Sequence, residues 1–327
     1  MDWIIGFIIL IVKLAAVLVG LLLLAAYLVL VERKFLGRLQ IRYGPNRAGR
    51  YGLLQPFADT IKMLTKEDVV PAEADRTIFL LAPAVVAAEA LLIFAVVPFG
   101  AGITLLGKKI PMVITDLNVG LLYVFALASL GVYGVALGGW ASNSKYSLLG
   151  GIRGAAQMIS YELSLGLSLV PIVMLARSFS LVDIVRAQAD YPFILVQPIS
   201  FIIFLISAVA ETKRIPFDLP EAENELGAGY HTEYSGMRFG LFFLGEYVNL
   251  QVLGALVAVF FLGGWHGPLL PPVVWSLIKV MAIALLMIWV RGTLPRLRYD
   301  QLMHLGWKVL VPLALLNILA TGAFLLI

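Results

Sequence analysis

Eight apolar runs, each long enough to cross a bilayer, decide what this chain can become: Trp3–Val31, Ile78–Phe99, Leu117–Gly139, Ala155–Ala176, Phe193–Ala210, Phe239–Leu262, Val273–Val290 and Trp307–Ile327. About twenty apolar residues at ~1.5 Å per residue match the roughly 30 Å hydrocarbon core of a membrane. A helix satisfies its own backbone hydrogen bonds in lipid, and none of these runs shows the period-2 alternation of a barrel strand. A chain of 327 residues that is 61% hydrophobic and 13% charged has little left for a soluble domain. The fold class expected is all-α, a polytopic membrane protein of eight transmembrane helices forming a single integral membrane domain over residues 1–327.

Lysine and arginine set the orientation. Eighteen of them fall in or beside the connections 1–2, 3–4, 5–6 and 7–8, among them Arg33, Arg42, Lys62, Arg153, Arg214, Arg291 and Arg296. The opposite side has four, Lys108, Lys109, Arg177 and Arg186, while Lys13 and Lys279 lie within spans. By the positive-inside rule the basic side is cytoplasmic and both termini are outside. No basic stretch precedes Trp3 and no A-x-A-like site follows, so the first run reads as a retained helix rather than a signal peptide.

In the long first cytoplasmic loop, Leu53, Leu54, Phe57, Ile61 and Leu64 recur at helical spacing, with Asp59, Lys62 and Lys66 on the other face. Such a helix either lies in the membrane interface or packs on a partner protein, and both readings stay open. The outer connections Phe99–Asp116 and Arg177–Tyr191 read as plain connectors, the second with a short helix at Leu181–Ala187.

A negative island interrupts the basic side. Glu211, Asp218, Glu221, Glu223, Glu225 and Glu233 outweigh Lys213 and Arg214, giving this loop a net charge of −4 in a protein of +4. Asp218, Pro220 and Glu221 have the spacing of an N-cap and capping box, which would explain two or three of these carboxylates but not six. In such a helix Glu221 and Glu225 would share a face and repel. The acids continue into the bilayer at Glu246, at Glu162 in the fourth span (followed by Pro171, which is expected to kink it), and at Glu89 in the second. A carboxylate inside a span is costly and marks a functional site by default. The plainer alternative is a protonated glutamate bonded to a neighbouring helix. Phe239, Phe242 and Phe243 share one side of the sixth span with Glu246, a stripe suited to a flat apolar ring or to helix packing alone. The arginines of Arg291–Asp300 read equally as a positive-inside clamp.

Cys is absent and His231, His266 and His304 are scattered, so the chain supplies no thiolate for an iron–sulfur cluster or zinc site. Neither an internal repeat nor a Gly-x-Gly-x-x-Gly fingerprint is evident.

Four blocks closely resemble the H family of membrane subunits of respiratory complex I, the NADH:quinone oxidoreductase: Glu32–Arg38 with Arg42–Arg47 and Gly52–Asp59; Gln157–Glu162; Glu211–Glu246; and Arg291–His304. The resemblance implies the eight-helix fold at the junction of the membrane and peripheral arms. It further implies that Glu162, Glu211, Asp218, Glu221, Glu223, Glu225, Glu233 and Glu246 form the acidic proton relay. Arg33, Arg42, Asp59, Lys62, Phe239, Phe243, Arg291, Arg296 and Asp300 match positions lining or flanking the quinone chamber. The first span, the amphipathic helix and the sixth span match its lipid-facing entrance. Lys13 and Glu89 fall outside the pattern. Quinone is the implied substrate; NADH, FMN and iron–sulfur clusters belong to partner subunits, and this chain is expected to bind no cofactor and no nucleic acid. A bacterial inner membrane is the implied location. Two other readings compete: an anchor of a membrane-bound hydrogenase or ferredoxin-dependent complex, and a stand-alone cation/proton transporter. A third, a purely structural anchor, would tolerate every change of a loop glutamate.

Overall fold

The computed structural model describes residues 2–105 and 108–326. Helix α1 (Asp2–Leu39) is followed by α2 (Gln55–Thr65), α3 (Arg76–Ile93), a hairpin of β1 (Gly100–Leu105) and β2 (Lys108–Met112), and α4 (Gly120–Ala141). Then come α5 (Lys145–Ala176), α6 (Leu181–Arg186), α7 (Pro198–Glu211), α8 (Glu223–Leu226) and α9 (Gly236–Phe261). The chain closes with α10 (Pro272–Thr293), α11 (Tyr299–His304), a π-helical turn at Leu305–Leu310 and α12 (Val311–Leu326). The mostly helical, polytopic class expected from the apolar runs is what forms.

Among the described residues, seven stretches are long and apolar enough to span a membrane: Gly6–Leu39, Arg76–Ile93, Gly120–Ala141, Lys145–Ala176, Gly236–Phe261, Pro272–Thr293 and Tyr299–Leu326. The remaining run, Phe193–Ala210, forms only the 14 residues of α7, because Pro198 takes the N-terminal position and the residues before it form turns. Helix α1 is 38 residues long, roughly 57 Å at the α-helical rise, so it runs well past an apolar slab and carries Glu32 and Arg33 on its last turns. The helix thus continues past the apolar run, which ends at Val31. Likewise α5 starts at Lys145, ten residues before the apolar run that begins at Ala155, and continues unbroken through Pro171.

The outer connection Phe99–Asp116 is more than a connector: β1 and β2 pair antiparallel, with an irregularity between Gly100 and Ile103. Helix α6 is the expected short helix, capped by the Ser180 side chain accepting from the Asp183 backbone N–H.

Helix α9 is buried along most of its length and packs on α1, α2, α3, α7 and α10. Its C-terminal end is closed by Lys279, whose ammonium donates to the carbonyls of Leu262, Gly264 and His266 at 2.6, 2.8 and 2.7 Å. Lys13 similarly donates to the Val113 carbonyl at 3.1 Å, tying α1 to the strand-bearing connection.

Small residues let the acidic loop sit directly on α5. A Cβ at Gly150 would lie 2.7 Å from the Tyr230 backbone nitrogen and 2.8 Å from the Pro220 carbonyl; one at Gly154 would meet the Pro220 ring at 3.3 Å. The Gln157 side-chain amide, fully buried, donates to the carbonyls of Ala210 and Phe217, both at 2.8 Å. Irregular backbone at this depth is therefore satisfied by a side chain of the neighbouring span. From the other side, Leu297 donates its N–H to the Pro216 carbonyl at 3.0 Å.

Candidate functional site: an apolar cavity, a buried ion cluster and an intramembrane acid chamber

The C-terminal half of α1 and the N-terminal turns of α9 line, with α2, a cavity of ≈ 300 Å³. Its wall is apolar apart from Arg33, Asp59, Thr60 and Tyr247, the composition expected of a site for a mostly apolar ligand. Pro56 starts α2 at its first turn and directs Asp59 back to α1, where Arg33 donates to its carboxylate at 2.7 Å. Gln55 donates to the other oxygen at 2.9 Å. Phe243 lines the same space. Phe239, Phe243 and Tyr247 follow one another along α9 with ring centroids 6.1 and 4.8 Å apart, whereas Phe242, expected on the same side, packs edge-on against Tyr230 and Tyr234 at 5.2 and 4.9 Å, away from the cavity. Lys62 points outward from α2 and Arg42, bonded to Gln40 at 2.7 Å, is exposed; neither lines the cavity.

Behind this cavity lies a cluster that the sequence reading did not assemble. Arg214, 2% exposed, donates from Nε to Glu246 at 2.7 Å and from Nη1 to Glu32 at 2.9 Å. Arg291 donates to the other Glu32 oxygen. Two guanidinium groups thus meet two carboxylates, and the cluster is neutral overall. Buried charges persist only when paired and hydrogen-bonded in this way. The Arg214 guanidinium also lies 4.5 Å over the Tyr247 ring, joining the cluster to the cavity wall. Burial opposes its charge, but Glu246 and Glu32 more than offset this and hold it above its ordinary pKa.

The loop between α7 and α9 departs from the expected capping box. No helix begins directly after Asp218. The single turn α8 starts at Glu223, with Ala222 preceding it and no side-chain cap among the described residues. The reason is the seat on α5: Leu219 and Pro220 are buried, and Gly229 (φ 61°) passes close to the Pro220 carbonyl, so the segment is held in a non-helical path. Glu221 and Glu225 consequently do not share a helix face. Glu221 pairs with His231 at 3.4 Å and Glu225 with Arg153 at 2.6 Å. Arg296 approaches Glu225 at 3.7 Å, Asp300 pairs with Arg298 at 3.2 Å on the surface, and Glu233 is half-buried. Glu223 lies in α8, its side chain outside the described residues.

These loop acids differ in electrostatics. Burial, with the Glu221 carboxylate beside it, pushes the Asp218 carboxyl up to about 7 against the pull of Arg296 and Arg291. Burial would likewise raise Glu221, but its bond to His231, with Lys213 and Arg291 near, holds it below the usual range. The hydrogen bond from Arg153 lowers Glu225 as well.

Deeper in the protein, Glu162 of α5 and Glu211 at the end of α7 line one enclosed cavity of ≈ 40 Å³ together with Glu89 and Asn249, the remaining wall being apolar. Ser129 of α4 donates to Glu162. One Glu211 oxygen, Oε2, is buried without a hydrogen-bond partner among the described residues. Among the described residues no group of three or more His, Cys, Asp and Glu is placed to hold a metal ion.

Of the predicted residues, the structure brings Arg33, Asp59 and Phe243 to the first cavity, with Phe239 stacked on Phe243. It brings Arg291 and Glu246 to the ion cluster, and Glu162 and Glu211 to the inner chamber. Sequence reasoning missed Tyr247, which no pattern singled out, and also Glu32 and Arg214. The signal for the last two was a charged pair at the mouth of an apolar run (Glu32-Arg33) and a basic residue inside an acidic loop.

A mostly helical bundle with an apolar cavity at one end and ionisable groups buried inside it defines a class: polytopic membrane proteins with a charged interior. A family model described as NADH dehydrogenase matches residues 12–322. The chain is 78% identical over 326 residues to one of the NADH-quinone oxidoreductase H subunits (H 2) of Syntrophobacter fumaroxidans, an alignment that covers 100% of this chain and 98% of that protein. It is 64% identical over 325 residues to the NADH-quinone oxidoreductase H subunit of Syntrophotalea carbinolica (99% and 98%), and 53% identical over 339 aligned positions to that of Thermomicrobium roseum (98% and 97%). The chain belongs to the family of NADH-quinone oxidoreductase H subunits, and is a membrane component of an oxidoreductase complex.

Proposed function

We propose that the cavity between α1, α2 and α9 receives the quinone ring, and that the charged interior passes the resulting proton demand to the acids within the spans. The observation that carries this is continuity. Tyr247 and Arg33 belong to the cavity wall; Arg214 lies over Tyr247 and is bonded to Glu246 and Glu32; Asp218 and Glu221 adjoin that cluster electrostatically. Beyond them Glu211 and Glu162 share the inner chamber.

In this reading Arg33 and Asp59 orient the polar edge of the ring, while Phe239 and Phe243 face its apolar plane. Electrons come from cofactors in partner subunits, since this chain has no cysteine to ligate a cluster. Reduction of the ring draws protons, and the altered charge near Asp59 shifts protonation among groups whose affinities already differ, such as Asp218 and Glu221. Helix α7, with the turns at Phe193–Gln197, completes an eighth crossing, α2 lies along the membrane interface, and both termini face the periplasm.

The relatives named above favour this reading over a hydrogenase anchor. Its test is the pair Glu211→Gln and Glu162→Gln in the assembled complex. Both are expected to lower coupled quinone reduction and proton translocation. Normal assembly with full rates in both variants would sink the relay.

A further inference from the structure

Glu89 has no part in the proposed relay, and nothing in the family pattern assigns it one. It projects from α3 and is 3% exposed. Its Oε1 accepts from the Asn249 amide of α9 at 2.9 Å, while Oε2 is buried with no hydrogen-bond partner among the described residues. Gly131 on α4 leaves room for it, since a Cβ there would lie 2.8 Å from Oε1. The carboxyl lines the ≈ 40 Å³ chamber of Glu162 and Glu211. A void needs roughly 10–15 Å³ and two to four polar partners to hold a water. This one exceeds that volume, and Glu89, Glu162, Glu211 and Asn249 supply the partners.

An unpaired ionised carboxylate enclosed this way is costly, and a protonated one still lacks an acceptor for its O–H. Water in the chamber answers both needs. The geometry points to Glu89 as a further proton-carrying group, exchanging one proton with Glu211 through water in the shared chamber; this rests on the relay reading above. In the exchange the Glu89 Oε2–H bond breaks as its proton passes to the water, and another proton of that water bonds to Glu211 Oε2. One proton moves and no electrons: Glu89 ends ionised and Glu211 neutral. Asn249 holds Oε1, so Oε2 remains the oxygen free to exchange. The role is thus set by three elements, α3, α7 and α9, meeting at one void.

The test is Glu89→Gln in the complete complex in membrane vesicles. The amide preserves shape and the bond from Asn249 but cannot carry the proton. Proton translocation should slow about tenfold, a fraction of what a positioned proton-transfer group supplies, because Glu162 and Glu211 remain. Infrared difference spectra between reduced and oxidised complex should also lose one carboxylic-acid C=O band. An assembled E89Q complex translocating at the parent rate, or one whose spectrum is unchanged, overturns the assignment. Should E89Q fail to assemble, Glu89→Asp decides instead: a shifted acid band supports the role and an unmoved spectrum overturns it. Loss of translocation in E162Q and E211Q alongside a normal E89Q removes Glu89 alone. Normal E162Q and E211Q would remove the relay itself.

Discussion

Arg214 meets Glu246 at 2.7 Å, and with its other arm reaches Glu32, 182 residues away in sequence. One buried guanidinium from the loop after α7 therefore fastens α9 to α1. A charge held like this is destabilising when left alone, so its partners matter more than the strength of any single bond.

Replacing Arg214 by leucine should leave Glu246 and part of the Glu32 demand unpaired, and cost about 3–5 kcal/mol of stability. Thermal denaturation of the purified complex, or its yield on assembly, measures this. Lysine should not rescue, because it cannot present two donors in a fixed fork to both carboxylates.

The Arg33–Asp59 pair makes the opposite prediction. With side chains 44% and 21% exposed, it adds at most about 1 kcal/mol to stability. Asp59→Asn should thus assemble and melt like the parent. Quinone reduction should nevertheless fall by about tenfold or more if Asp59 orients or protonates the ring. A normal rate at saturating and limiting quinone would remove Asp59 from the site.

Asp218 gives a pH dependence whose sign can be worked out. Its carboxyl titrates near 3.8 when unfolded and at about 7 in the fold, so the folded protein binds the extra proton between these values. The stabilisation is complete below the unfolded value and is lost as pH rises through about 7. Asp218→Asn should remove that decline: relative to the parent, its melting temperature should gain more at pH 8 than at pH 5. Equal differences at both pH values would contradict a raised Asp218.

Gly150 tests the seat of the loop. Valine there would drive carbon into the Tyr230 nitrogen and the Pro220 carbonyl, both backbone atoms that cannot swing aside. Overpacking of this kind costs about 1–3 kcal/mol. Since it displaces the segment bearing Asp218 and Glu221, coupled activity should fall further than stability does. Protease sensitivity of the loop, compared with the quinone reductase rate, reads the two effects separately.

Glu225 is the contrasting acid. It is half exposed, and Arg153 keeps it ionised near neutral pH. Glu225→Gln should change stability by less than about 1 kcal/mol and leave the pH profile around 7 where it was.

Apolar runs made the helical membrane fold legible, since length and hydropathy act locally. The Arg33–Asp59 cavity and the Glu162–Glu211 chamber were legible only by resemblance, because no local rule pairs residues on different spans. Glu32 was quoted within a motif and Arg214 counted as one more cytoplasmic cation; what makes them a cluster is burial, which sequence spacing does not carry. The capping box at Asp218 misled for a related reason. Its residue types are right for a helix start, but the backbone after Pro220 is already committed to packing on Gly150 and Gly154. Pro198 carried the signal that shortens α7, outweighed by the apolar run around it.

Glu32 and Arg33 are consecutive on α1, and a helix turns about 100° between consecutive residues. One therefore faces the ion cluster while the next faces the apolar cavity. The end of the first helix is therefore shared: the wall of the cavity and the anchor of the ion cluster lie on one rigid turn, with no loop between them.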